Sequence, residues 1–173
     1  MRGVRVAGAV SAAVAVFGSL GTATPASASN YGVEVNGTYR ATSNGDWART
    51  NDVLINEPTV VQTWIVNSSC TSPISCTGTV KSDQGWTAPL DNRGDYWVVE
   101  RHLDNWEPCP DGTAAPGVQK YVFWGVNPAL ETVDSNMRDL MAGRDRTVAP
   151  SGNCGINKPL VIELPLQLNK LSS

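Results

Sequence analysis

The chain has 173 residues with 13 Lys+Arg, 16 Asp+Glu and one His, a formal net charge of −3. Binding to a phosphate backbone depends on clustered Lys and Arg, and no such cluster is present, so nucleic acid is excluded as a partner. One His and four Cys leave few ligands for zinc or iron, and no cofactor is expected.

Residues 1–28 read as an export signal. Arg2 and Arg5 form a positive start, Val6–Leu20 an apolar run, and Ala26, Ser27 and Ala28 a small-x-small processing site. The run is shorter than the ~20 apolar residues that span a bilayer. Processing removes two of the 13 basic residues and no acid, leaving 11 against 16 and a net of −5 over residues 29–173. That remainder fits one β-rich domain. Leu160–Ser173 offers no hydrophobic tail, so the expected product is secreted, without a membrane anchor.

Turn chemistry punctuates residues 29–173 at short intervals, and the intervening runs favour Val, Thr, Tyr and Trp, which suit a pleated surface. Strands are expected near Val33–Thr42, Trp47–Ile55, Thr59–Asn67, Thr77–Ser82, Trp86–Leu90, Asp95–Leu103, Val118–Val126, Asp139–Val148 and Leu160–Leu171. Asn44-Gly45 is the strongest hairpin signal. Leu130, Val133, Met137, Leu140 and Met141 also fit helical spacing, so 130–141 is compatible with a short helix or with a loop plus strand. In the last run Leu160, Ile162, Leu164, Leu166 and Leu168 share one face, a core-facing stripe in which Pro165 requires a bulge or an edge. The pattern predicts an all-β fold: an antiparallel meander of eight or nine strands, closed or partly open as a barrel, with a β-sandwich as the alternative.

An even cysteine count in an exported chain suggests two disulfides. Ser72-Pro73 places a turn between Cys70 and Cys76, favouring a local bridge, which leaves Cys109 with Cys154. In the chain-entropy treatment the short loop is worth ~2.4 kcal/mol and the long one ~4 kcal/mol.

Six Trp and four Tyr are the unusual inventory. Trp64, Trp97 and Trp124 sit mid-strand and read as core. Trp47, Trp86 and Trp106 lie beside turns, where ligand contacts are usually made, and are the candidate binding residues. No catalytic constellation is found. His102 is the sole imidazole, beside Glu100 and Asp104, and no Gly-x-Ser-x-Gly elbow is present. Arg93-Gly94-Asp95 reads as turn chemistry, and Asn36 and Asn67 head glycosylation sequons in form.

Six stretches carry a resemblance: Gly37–Asn51, Cys76–Val80, Ser82–Trp86, Asn105–Gly112, Gly143–Arg146 and Gly152–Pro159. Together they resemble small secreted proteins of mycobacteria and related actinobacteria, a group of uncharacterised function. The resemblance implies export and a shared fold, and it assigns no catalytic or binding residue. Gly37-x-Tyr39 on a first strand is loosely similar to lipocalin-like barrels, at the level of fold alone.

The expected function is that of a non-catalytic binding or interaction protein of the cell envelope or medium. Its partner would be a small apolar ligand, as in a carrier, or an envelope or host protein; a carboxylate-dependent hydrolase is the weaker alternative. An enclosed apolar cavity lined by Trp would mark a carrier. A packed interior with an exposed aromatic patch would mark an interaction factor.

Overall fold

Alternation of inward, buried residues with outward ones along most of each long strand builds one continuous wall. The computed structural model describes residues 31–172; the expected signal segment 1–28 lies outside them. In chain order the strands are β1 (Gly37–Ser43), β2 (Arg49–Thr50), β3 (Val53–Leu54), β4 (Val60–Ser72), β5 (Ser75–Ser82), β6 (Thr87–Asn92), β7 (Trp97–Pro108), β8 (Ala114–Asn127), β9 (Thr132–Val133), β10 (Leu140–Ala149) and β11 (Leu160–Ser172). Eight of them pair antiparallel in the order β1-β4-β5-β6-β7-β8-β10-β11, and β11 returns to pair with β1. The sheet is therefore a closed eight-stranded barrel, and the sandwich alternative falls.

Two local expectations are corrected. Asn44-Gly45 does not form a hairpin turn, because Asn44 takes an extended conformation (φ −80°) and its side chain caps a single 3-10 turn, Gly45–Trp47. Gly45 there packs against the backbone of Glu57 and Pro58. The strand expected over 47–55 shrinks to that turn plus β2 and β3, a two-rung ribbon. Of the two readings open for 130–141, the structure has the loop plus strand: turn, β9 and loop before β10 begins at Leu140. Pro165 sits where β11 exchanges one neighbour for another: Leu166 pairs with Ser43 of β1, whereas Glu163 pairs with Arg49 of β2. The missing N–H thus falls at a seam, and the Pro165 carbonyl accepts from Asn44 N–H at 2.8 Å.

Antiparallel alternation gives the barrel two unlike ends. At the base, where β1 begins and β11 finishes, the interior is apolar: Val66, Val80, Leu90, Trp97, Phe123, Met141 and Leu168 are buried together. Residues 31–36 cover this end. Val35 is fully buried and exchanges hydrogen bonds with the Ser68 hydroxyl, at 2.8 Å and 3.0 Å. Arg138 Nε donates to the Val33 and Glu34 carbonyls at 3.1 Å and 3.2 Å. Tyr39, held in the same core, has its hydroxyl pushed up to about 12 by burial, with Arg138 opposing the shift.

The disulfides join Cys70 to Cys76 and Cys109 to Cys154, as expected. The first closes the β4–β5 hairpin at the base. The second ties the 109–113 loop to the 150–159 loop at the other end, the mouth.

Candidate functional site

The mouth half of the interior is polar, and three aromatic rings separate it from the base. Trp64 meets Tyr121 edge to face at 4.9 Å and Trp86 at 5.7 Å, while Trp86 and Tyr121 stack at 6.0 Å. Phe123 lies beneath, 6.3 Å from Trp64. Trp64, Tyr121 and Phe123 are fully buried. Rings of this size remove ~150–250 Å² each from water, about 4–6 kcal/mol apiece at ~25 cal/mol per Å². The barrel is filled, not hollow.

Gln62, inward on β4, organises the polar side of this layer. Its Oε1 accepts from Ser82 Oγ at 2.7 Å, Trp86 Nε1 at 3.1 Å and Trp64 Nε1 at 3.2 Å. Its amide nitrogen donates to the Tyr121 hydroxyl at 3.3 Å. One carbonyl oxygen thus serves three donors, two buried and one half-buried, with two lone pairs. Burial raises the Tyr121 hydroxyl well above its usual value, and Asp145 adds to the shift.

A second chain of contacts crosses the mouth. Asp145 on β10 is buried and accepts from Ser43 Oγ at 2.8 Å and Gln119 Nε2 at 2.7 Å. Arg101 Nε on β7 donates to Gln119 Oε1 at 2.7 Å, and its guanidinium lies 4.5 Å over the Trp86 ring. Burial raises the Asp145 carboxyl above its usual value; the bonds from Gln119 and Ser43, then the Arg101 charge, work against that shift. Asp145 also lines a cavity of about 220 Å³ whose other residues include Glu57, Val60, Trp106, Gln119, Ile162 and Leu164.

The three candidate tryptophans all fall at the mouth end of the chain's path, and they separate by side of the wall. Trp86 is inside, committed to Gln62, Tyr121 and Arg101. Trp106 lines the cavity with Asp145 and packs where Gly117 leaves room; a Cβ there would come within 2.9 Å of its ring. Trp47 is outside and 65% exposed. Trp124, expected in the core, also faces out, because the inward register of β8 is Tyr121, Phe123 and Gly125.

Outside, Trp124 and Arg144 line two adjoining grooves. One, about 530 Å³, also holds Tyr96, Lys120, Val122 and Arg146; the other, about 400 Å³, holds Trp47, Arg49, Leu54 and Glu163. Lys120 pairs with Glu100 at 2.8 Å and Arg146 with Glu163 at 3.7 Å. Arg144 makes no ion pair among the described residues. His102 is exposed on this outer wall. The Arg93-Gly94-Asp95 tip is turn chemistry, with Gly94 at φ +82° and its N–H given to Asn92 Oδ1.

Gln62, Arg101, Gln119 and Asp145 carry no motif. Face alternation could have found them: each shares the inward face of a strand whose buried aromatics or aliphatics are legible, Gln119 beside Tyr121 and Gln62 beside Trp64.

The fold is that of a small closed antiparallel barrel whose interior is apolar at the base and polar at the mouth. The sequence matches no family model and no curated protein. Among solved structures it is similar in fold to the monomer form of the M. tuberculosis PknI sensor domain. The TM-score is 0.58 at 14% identity, over 81% of this chain and 89% of that one.

Proposed function

We propose that this chain is an exported, non-catalytic interaction module of the cell envelope or medium, and that its outer wall engages an acidic, extended segment of another protein. One observation carries the reading: Trp64, Tyr121 and Phe123 fill the barrel, while Tyr96, Trp124 and Arg144 line an open groove on its outside. A carrier of apolar ligands needs interior volume that these rings occupy. The groove joins apolar surface from Val118, Val122 and Val148 to an unpaired Arg144 on a chain of net negative charge, so an acidic partner is the complementary one. Two disulfides suit an oxidising compartment, and residues 1–28 supply the export route. Resemblance to small secreted actinobacterial proteins and likeness in fold to a domain described as a sensor domain both favour binding over catalysis.

The test is a photo-crosslinker placed at Tyr96 in the native host. The expected result is one covalent protein adduct that disappears with Arg144→Glu. Native mass spectrometry of the protein from its own culture medium gives the opposing outcome: a co-purified lipid or other apolar molecule in stoichiometric amount would restore the carrier reading and sink this one.

A further inference from the structure

The mouth cavity is chemically unlike the outer wall. Its about 220 Å³ combine apolar walls from Val60, Ile162 and Leu164 with one indole, Trp106, and two acids, Asp145 inside and Glu57. No basic side chain lines it. The Asp145 oxygens accept one hydrogen bond each, from Ser43 and Gln119. An ionised carboxylate offers about four acceptor sites, so roughly half of its capacity is unused. No ion pair forms at Asp145 among the described residues; Arg101 is hydrogen-bonded to the Gln119 amide, and its charge acts on Asp145 from beyond salt-bridge distance. Next to Trp106, the Glu107 side chain is 92% buried by its 8% relative exposure, and its Oε2 has no hydrogen-bond partner. Asp145, which lines the cavity, and Glu107, which does not, are therefore buried acids without an ion pair among the described residues, and at Asp145 that arrangement costs stability unless something satisfies it.

We infer that this cavity binds a small organic cation, an alkylammonium group whose charge meets Asp145 and whose carbon chain lies against Trp106 and the aliphatic wall. Each alternative occupant fails on one of these features. An anion would meet two carboxylates and no basic side chain. A neutral apolar molecule would bury Asp145 further and leave its free acceptor sites unmet. A bare divalent metal needs about six oxygen ligands, which aliphatic walls cannot supply. An ammonium donates up to three hydrogen bonds, which the Asp145 carboxylate can accept, and the Trp106 indole with the aliphatic wall covers the carbon chain, so both halves of the ligand have a counterpart.

The test uses n-butylammonium, with n-butanol and n-butyrate as neutral and anionic counterparts, titrated calorimetrically into the full processed protein. The expected result is binding of n-butylammonium at least about tenfold tighter than n-butanol, with no binding of n-butyrate. Asp145→Asn should lose about tenfold or more, and Trp106→Leu about threefold to tenfold. Should Asp145→Asn fail to fold by near-ultraviolet circular dichroism, Glu57→Gln provides the second variant, with a loss of about threefold. Arg144→Glu, on the outer wall, should leave ammonium binding unchanged, which separates this inference from the docking proposal. Equal affinity for butanol and butylammonium, unaltered binding by a folded Asp145→Asn, or no butylammonium binding at about 10 mM would each overturn it.

Discussion

The Ser43 hydroxyl donates to the Asp145 carboxyl at 2.8 Å across the inside of the barrel, although β11 separates the two strands in the sheet. A contact between strands that are not neighbours in the wall requires both side chains to reach inward at the same height. The groups that meet Asp145 are then the Ser43 and Gln119 hydrogen-bond donors, the Arg101 charge and whatever enters the cavity.

Asp145 should impose a recognisable pH dependence on stability. Its folded-state value is raised by burial, against the opposing effects of Gln119, Ser43 and Arg101, with Tyr121 and Glu57 the remaining titratable groups nearby. A raised value means the neutral form is the one the fold prefers. Its contribution is full below the unfolded value of about 3.9 and is lost as pH rises through the folded value. Urea midpoints for the wild type and Asp145→Asn, compared from pH 4 to pH 8, should show the wild type's relative stability falling as pH rises. A relative stability that rises with pH contradicts the assignment.

Gln62→Leu should cost about 3 kcal/mol or more, because it strands the Trp64, Trp86 and Ser82 donors in a buried layer. Ser82→Ala removes one of those donors and leaves the acceptor satisfied by the indoles, so about 1 kcal/mol is expected. Chemical denaturation of the two variants checks the ratio.

The two tryptophans of opposite fate give a clean contrast. Trp64 is fully buried and Trp47 is 65% exposed. Trp64→Ala should destabilise by about 3–5 kcal/mol, and Trp47→Ala by less than about 0.5 kcal/mol. Comparable losses in thermal unfolding would contradict the placement of Trp47 on the outer wall.

Gly143→Ala should destabilise by about 1–3 kcal/mol despite its small size. A Cβ at that position of β10 would overlap the Val122 carbonyl oxygen and crowd the Phe123 backbone on β8. Neighbouring strand backbones cannot give way without breaking the ladder that closes the barrel. Expression yield and melting temperature both report it.

Removing the Cys109–Cys154 bridge by paired serine substitution should lower stability by ~4 kcal/mol, against ~2.4 kcal/mol for Cys70–Cys76, since the sequence separations are 45 and 6. The larger effect should also loosen the mouth, so hydrogen exchange there should quicken around Cys109 and Asn153 before it does at the base.

Much of the wall is legible in the sequence. The β11 stripe of Leu164, Leu166 and Leu168 is inward as its alternation required, and both disulfides pair as the turn at Ser72-Pro73 implied. The misreadings have local causes. Asn44-Gly45 carries the composition of a hairpin turn, yet Gly45 is used for close approach to Glu57 and Pro58. Trp124 has the size of a core residue, and only the register of β8 against β10 decides that Phe123 takes the inside.

Alternation, turn chemistry and cysteine spacing are local properties, so the sequence by itself determined an antiparallel all-β chain, its approximate strand positions and its staples. Closure of the barrel, and which strand faces meet across it, are non-local. Ser43, Gln62, Gln119 and Asp145 lie as far as 102 residues apart in the chain, and nothing short of the closing β1–β11 pairing brings them to one level. The candidate cavity exists because that closure places a buried carboxyl opposite aliphatic wall and indole, a juxtaposition that only the tertiary structure decided.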